Sequence, residues 1–135
     1  MYTYKRDALW EDSNKIFNGM SEEDKSYFLN GVDSYDDSEF LVDRIVAYDG
    51  KVPIAFVELL DFGDEDMAQI CIAVDNEYRH KGIAKKLYKL MEMFYSSKYI
   101  YFAWTVHPDN ESSIGLALSL NFIRVDDEEF YKRVG

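Results

Sequence analysis

Residues 74–86 read Val74-Asp75-Asn76-Glu77-Tyr78-Arg79-His80-Lys81-Gly82-Ile83-Ala84-Lys85-Lys86, and their reading decides the fold. Upstream, Met67 to Val74 is a short apolar run bounded by turn residues, which predicts a strand. Downstream, from Gly82 to about Tyr95, Ile83, Leu87, Leu90, Met91 and Phe94 recur on one helical face. Lys85, Lys86 and Lys89 fall mostly on the other face. The quoted stretch is therefore a tight turn from a strand into a helix.

Four formal cations and a histidine crowd residues 79 to 86 of this turn. A helix N-terminus carries roughly half a unit of positive charge, so acids are favoured there and bases disfavoured, by about 0.3–1 kcal/mol each. The helix predicted from Ser21-Glu22-Glu23-Asp24 obeys that rule, with a Ser cap and acids in its first turn. The helix that starts at Gly82 breaks it. An anion from outside the chain resolves the conflict. Free backbone N–H groups, the helix dipole and flanking cations together form a phosphate cradle. Gly82, with no Cβ, lets the backbone come close to the ligand, and Ala84 is small for a similar reason. The bland alternative is a solvated basic turn paired with nearby acids. Two other phosphate loops do not fit. The nucleoside-triphosphatase pattern Gly-x4-Gly-Lys-Ser/Thr is missing, and the dinucleotide fingerprint needs three glycines where this turn has one.

Working outward, the first half reads as helical. An amphipathic segment runs from about Ala8 to Phe17, and the Ser21 helix has Tyr27, Phe28 and Val32 as apolar contacts, with Gly31 marking its expected end. Residues 33–39 form a polar loop. Phe40 to Tyr48 and Val52 to Leu60 are strands joined at Asp49-Gly50, a two-residue hairpin signal. After the turn 61–66, Met67 to Val74 completes an antiparallel meander. Beyond the basic helix, Tyr99 to Val106 is a near-continuous apolar and aromatic run. Such a run suits a strand buried on both faces by parallel pairing beside a crossover helix. His107-Pro108-Asp109-Asn110 breaks it. A short helix from about Glu111 to Leu120 and a hairpin, Phe122 to Val125 with Glu129 to Val134, close the chain. The fold class is mixed α+β, a largely antiparallel sheet with helices on its faces.

The totals agree with a single domain over residues 1–135. Apolar residues make up 47% and aromatics 16%, enough for a core without disulfide or metal. One cysteine excludes an internal disulfide, and with two histidines it argues against a four-ligand zinc site. No metal is expected. No signal peptide and no run of ~18 apolar residues is read, so the expected location is cytoplasmic. A net charge of −11 disfavours nucleic acid and anionic membranes and mildly favours a cationic partner such as an amine.

Two segments carry a family resemblance. Residues 74–84 resemble the pyrophosphate-binding motif of the GNAT superfamily of acyl-coenzyme A-dependent N-acetyltransferases, Gln/Arg-x-x-Gly-x-Gly/Ala, through Arg79, Gly82 and Ala84. Residues 110–122 resemble that family's later segment, in which an Asn opens a short helix that ends at Gly-Phe, here Asn121-Phe122. The resemblance covers about residues 67–125. It implies a sheet of six to seven strands, mostly antiparallel, with one splayed parallel pair ending at Val74 and Val106. It implies acetyl-coenzyme A as co-substrate in the gap. The turn Arg79, His80, Lys81, Gly82, Ile83, Ala84 and Lys85 would hold the pyrophosphate. Ile72, Ala73 and Val74 would pair with the pantetheine arm, with Asn110 and Ser113 nearby. The acceptor would be a small-molecule or peptide amine attacking the thioester directly, on a monomer or homodimer.

Departures from the family pattern are equally specific. His80 and Asn121 stand where Gly is usual. Ala117 stands where many members carry a Tyr acid, and Thr105 where several carry a base. These changes leave a non-catalytic coenzyme A-binding module as the alternative. Candidate bases are Glu58, a carboxylate inside the apolar run 53–60 with a pKa raised by burial, and His107, which follows the cleft strand. Tyr88 and Tyr131 are weaker candidates for the acid. Cys71 reads as core rather than nucleophile.

Overall fold

The computed structural model describes residues 2–29 and 38–135. Among them are four α-helices and seven strands. In chain order these are β1 (Tyr2–Arg6), α1 (Trp10–Asn18), α2 (Glu22–Leu29), β2 (Leu41–Asp49), β3 (Val52–Leu60), β4 (Met67–Val74), α3 (Ile83–Tyr95), β5 (Tyr101–Thr105), α4 (Glu111–Ser119), β6 (Ile123–Arg124) and β7 (Glu129–Arg133). The strands form one sheet in the order β1-β2-β3-β4-β5-β7-β6. Every neighbouring pair is antiparallel except β4 and β5. The expected mixed fold, with one parallel pair, is the observed one.

Two details differ from the sequence reading. The chain begins with a strand, not a helix: Tyr2–Arg6 pairs with Asp49–Ile45 at the sheet edge. The hairpin after β2 turns at Gly50-Lys51, not Asp49-Gly50, because Asp49 is still paired with Val52. Gly50 takes the left-handed φ of 62° that the turn needs. The expected helix end near Gly31 and most of the 33–39 loop lie outside the described residues.

The period-2 alternation of the central strands sends apolar side chains to both faces. On one face Val46, Phe56 and Ala73 pack with Ile16 and Phe17 of α1. On the other, Ile45, Val57, Leu59 and Ile70 pack with Ile83, Leu87 and Met91 of α3. Phe102 and Trp104 of β5 and Ala117 of α4 extend that second cluster. Burying a side chain of this size contributes about 1.5–3 kcal/mol. The sheet is thus clamped on both faces where it must be rigid, around the start of α3.

Candidate active site

The parallel pair does not run the length of its strands. Met67, Ala68 and Gln69 pair with Tyr101, Phe102 and Ala103, and pairing stops there. Beyond that point β4 keeps its other neighbour, since β3 remains in register up to Val74. β5 likewise keeps β7 up to Thr105. The sheet therefore opens between Ile70–Val74 and Trp104–Val106. A cleft of about 750 Å³ occupies the opening.

The turn at the end of β4 is anchored on both sides. The Asp75 N–H donates to Ile54 O at 2.8 Å, and the Tyr78 hydroxyl donates to Asp49 Oδ2 at 2.7 Å. His80 (φ 63°) and Gly82 (φ 77°) then take left-handed conformations and throw the chain into α3. Histidine is among the residues enriched at positive φ, which fits its presence where the family favours glycine. Asn121, at φ 71°, is a second such site.

No side chain caps α3, and its first turn holds no acid, whereas the first turns of α1, α2 and α4 each do. The first bond closed onto its cap runs from Lys86 N–H to Gly82 O. The N–H groups of Ile83, Ala84 and Lys85 are the orphan donors of the helix start. A Cβ built on Gly82 would meet nothing within 4 Å, so open space lies where a ligand would approach. Arg79, His80, Gly82, Ile83, Ala84 and Lys85 all line the cleft. Lys81 does not. Arg79 donates from Nη2 to Asp24 Oδ2 of α2 at 3.0 Å, and Asp24 lines the cleft too.

Ile72, Ala73 and Val74 line one wall of the opening, and Trp104, Thr105, Val106 and His107 the other. Asn110 and Ser113 line it from α4. Asn110 Oδ1 caps that helix by accepting from Ser113 N–H at 3.2 Å. Ser113 Oγ accepts from Trp104 Nε1 at 3.0 Å, which ties α4 to the β5 wall. The Thr105 hydroxyl lies 3.3 Å from Gln69 Oε1 and 3.1 Å from Glu129 Oε1, and it can donate to one of them. Cys71 also lines the cleft, so it is a wall residue rather than the core residue expected.

The two expected bases fare differently. His107 lines the cleft, with Nδ1 accepting from Asp109 N–H at 3.1 Å. That bond places the neutral ring's proton on Nε2, so a proton could be accepted at Nδ1 only by giving the bond up. Glu58 is absent from the cleft wall. It is fully buried, and its Oε2 accepts from Arg44 Nε at 2.6 Å. Burial pushes its carboxyl up, while the guanidinium at 2.6 Å pulls the other way. Arg44 keeps its charge at ordinary pH, so protonating Glu58 would strand a buried cation. The ionised pair is the stable arrangement.

The acid candidates also lie elsewhere. Tyr88 is buried and donates to Glu92 at 2.7 Å, and burial pushes its hydroxyl far up. Tyr131 is on β7, away from the cleft wall. Ala117 is wholly buried in the α3-side core. Met20, Asp24, Leu60, Phe62, Gln69 and Glu128 were missed as cleft residues. In sequence Asp24 reads as an ordinary first-turn acid, and Phe62 as part of a loop. Among the described residues no His, Cys, Asp and Glu cluster could hold a metal, and no helix is long and apolar enough to cross a membrane.

The arrangement can receive an elongated ligand with an anionic diphosphate at the α3 end and a hydrogen-bonding arm between the parted strands. Comparisons agree. The sequence finds no match among curated proteins, but solved structures are similar along nearly the whole chain. One is an N-acetyltransferase from Staphylococcus aureus Mu50, with TM-score 0.70 and 17% identity, covering 100% of this chain and 99% of that one. Another is a GNAT superfamily phosphinothricin acetyltransferase from Sinorhizobium meliloti in complex with AcCoA, with TM-score 0.71 and 19% identity, covering 99% and 89%. A third is an N-acetyltransferase from Thermoplasma acidophilum in complex with coenzyme A, with TM-score 0.69 and 16% identity, covering 97% and 99%. The Acetyltransferase (GNAT) family matches residues 6–122. That span holds the parted strands, the anchored turn and the helices that line the cleft, and the chain belongs to the GNAT family of acetyltransferases.

Proposed function

We propose that this protein transfers an acetyl group from acetyl-coenzyme A to an amine, by direct attack of the neutral amine on the thioester. The observation that carries this reading is the parting of β4 and β5 after Gln69 and Ala103, beside a helix start that has cations and no acid. When bound, acetyl-coenzyme A supplies an activated acyl group. The chain's own residues do the rest. The N–H groups at 83–85, with Arg79 and Lys85 around them, hold the diphosphate, and His80 sets the left-handed bend that presents them. Lys81, exposed and off the wall, adds long-range attraction. Backbone groups of Ile72, Ala73 and Val74 complete a ladder with the pantetheine arm. Asn110 and Ser113 border that arm. Holding both reactants aligned supplies much of the rate.

The incoming ammonium must lose a proton. Glu58 is walled off beside Arg44. Of the carboxylates on or near the wall, Asp24 is held by Arg79 and Glu111 sits in the first turn of α4, whereas Glu128 lines the wall on the β5 side and Glu129 is within reach of the Thr105 hydroxyl. We assign the proton to Glu128 and Glu129, directly or through water. The Asp126–Glu129 turn is held by Asp126 Oδ1, which accepts from the N–H groups of Glu128 and Glu129. A fixed acidic turn beside the cleft favours a cationic acceptor over one that carries its own carboxylate. No tyrosine stands at position 117, and the coenzyme A thiol, with a pKa near that of cysteine at about 8.5, leaves without a dedicated acid.

The test is release of free thiol from acetyl-coenzyme A with polyamines, aminoglycosides, amino acids and peptide N-termini. Turnover with a cationic amine is expected. Calorimetric binding of acetyl-coenzyme A with no thiol release from any amine would support a binding module instead. No binding at all would remove the cradle reading.

A further inference from the structure

We infer that Asp24 is a positioning residue for the cofactor: by holding Arg79 in the cleft it makes α2 part of the diphosphate site, so that cofactor occupancy and the seating of α2 rise together. The inference rests on the cradle reading above.

The geometry is specific. Arg79 Nη2 lies 3.0 Å from Asp24 Oδ2, and both side chains are partly buried, at 32% and 25% exposure. Asp24 is itself fixed, because its N–H donates to Ser21 Oγ at 3.1 Å in the capped first turn of α2. The carboxylate is thus delivered from a defined backbone position. Arg79 needs such a partner. Lys81, Lys85 and Lys86 and the positive end of α3 all repel its guanidinium toward solvent. One carboxylate against those cations leaves the turn cationic and still attractive to a diphosphate. A guanidinium has five N–H donors in a planar fork, and Asp24 takes one at hydrogen-bond distance. The rest can meet phosphate oxygens while Asp24 keeps the fork aimed.

The pair also reaches the other way. α1 and α3 pack on the strands. The Arg79–Asp24 bridge is a side-chain link between α2 and the strand-turn-helix unit. Met20, just before α2, lines the same cleft. A ligand that fixes Arg79 therefore fixes the 20–24 wall. By linkage, seating of that wall tightens the ligand by the same factor.

The experiment titrates coenzyme A by calorimetry into the wild type, Asp24→Asn, Asp24→Glu, Arg79→Gln and the Asp24→Asn/Arg79→Gln double variant. Hydrogen exchange is followed in the wild type with and without coenzyme A. Asp24→Asn is expected to weaken coenzyme A about three- to tenfold, with Asp24→Glu restoring most of the loss. The double variant is expected to bind no more weakly than Arg79→Gln alone. Coenzyme A is expected to slow exchange across residues 22–29. Unchanged or tighter binding by Asp24→Asn, additive losses in the double variant, or α2 exchange that is unchanged or faster would each overturn the inference. Should Asp24→Asn fail to fold, the wild-type exchange decides. A wild type that binds no coenzyme A overturns the cradle reading itself. Wild-type binding with an indifferent Asp24→Asn overturns this inference alone.

Discussion

The Arg44–Glu58 pair and the 79–86 turn both concentrate charge, and the chain treats them in opposite ways. Arg44 and Glu58 face each other across two central strands, at 2.6 Å and almost without solvent. Arg44 also donates to Ala8 O at 3.2 Å, so the pair braces the approach to α1. Its charges are answered from inside the protein. The turn gathers cations at a helix start, and of these Arg79 has an acid partner in Asp24. Of the rest, Lys85 faces the cleft, Lys81 is exposed beside it and Lys86 lies over Tyr4. A charge answered from within holds the fold together, whereas a charge left to be answered from outside is a site.

That contrast can be broken first at the buried pair. Glu58→Gln should cost about 3–5 kcal/mol of stability by chemical denaturation, because it leaves a buried guanidinium uncompensated. Arg44→Met/Glu58→Met should recover most of it. A cost below about 1 kcal/mol would show that the pair does not brace the sheet. Gly82→Val tests the other side. A β-branched residue at φ 77° is strained, and its side chain would occupy the ligand's approach. Coenzyme A affinity should fall at least about 100-fold, roughly 2.7 kcal/mol, while the fold survives. Retained affinity would contradict the cradle.

Smaller effects sharpen the comparison between the two kinds of charge. The Tyr48 hydroxyl donates to Asp12 at 2.6 Å and that of Tyr99 to Asp61 at 2.9 Å. Burial first, then these carboxylates, push both hydroxyls up to about 12. The folded state therefore holds these protons more tightly than the unfolded one, whose tyrosines titrate near 10. Their stabilisation is full below about pH 10 and is lost as pH climbs toward 12. Tyr48→Phe should cost about 0.5–1.5 kcal/mol at neutral pH and flatten that alkaline loss. An unaltered alkaline slope would dismiss the assignment. Smallest of all, His80→Gly should stabilise by about 0.5–1 kcal/mol in thermal melts by relieving left-handed backbone, with little change in coenzyme A affinity. A large loss of affinity would instead give the imidazole a part in holding the ligand.

The strand-turn-helix unit was legible because each part has a strong local signal: an apolar run, a crowded basic turn and a 3.6-residue period. β1 was not. Tyr2-Thr3-Tyr4-Lys5-Arg6 is too short to establish an alternation, and it becomes a strand by pairing with residues far along the chain. Glu58 was correctly read as desolvated, but its partner Arg44 was not foreseen, because that pairing depends on register. From a turn at Gly50-Lys51, plain hairpin pairing would set Arg44 opposite Val57. The irregularity between Ala47 and Tyr48 slides the strand by one residue and brings Arg44 to Glu58. A pattern along one strand cannot show a slip between two. The parting of β4 and β5 is a similar case, since each strand looks continuous on its own.

That parting also gives the sheet a third edge. β1 and β6 are its outer margins, and β6 is only two residues long. The inner margin, from Ile70 to Val74, is paired to β3 on one side and has no strand partner on the side of β5. Exposed margins of this kind recruit strands from neighbouring molecules and seed aggregation. The proposed pantetheine arm would satisfy the same groups as a passing strand would, so substrate would also act as a chaperone of the open sheet. Protein stored with its cofactor should stay clear at concentrations where the empty form clouds.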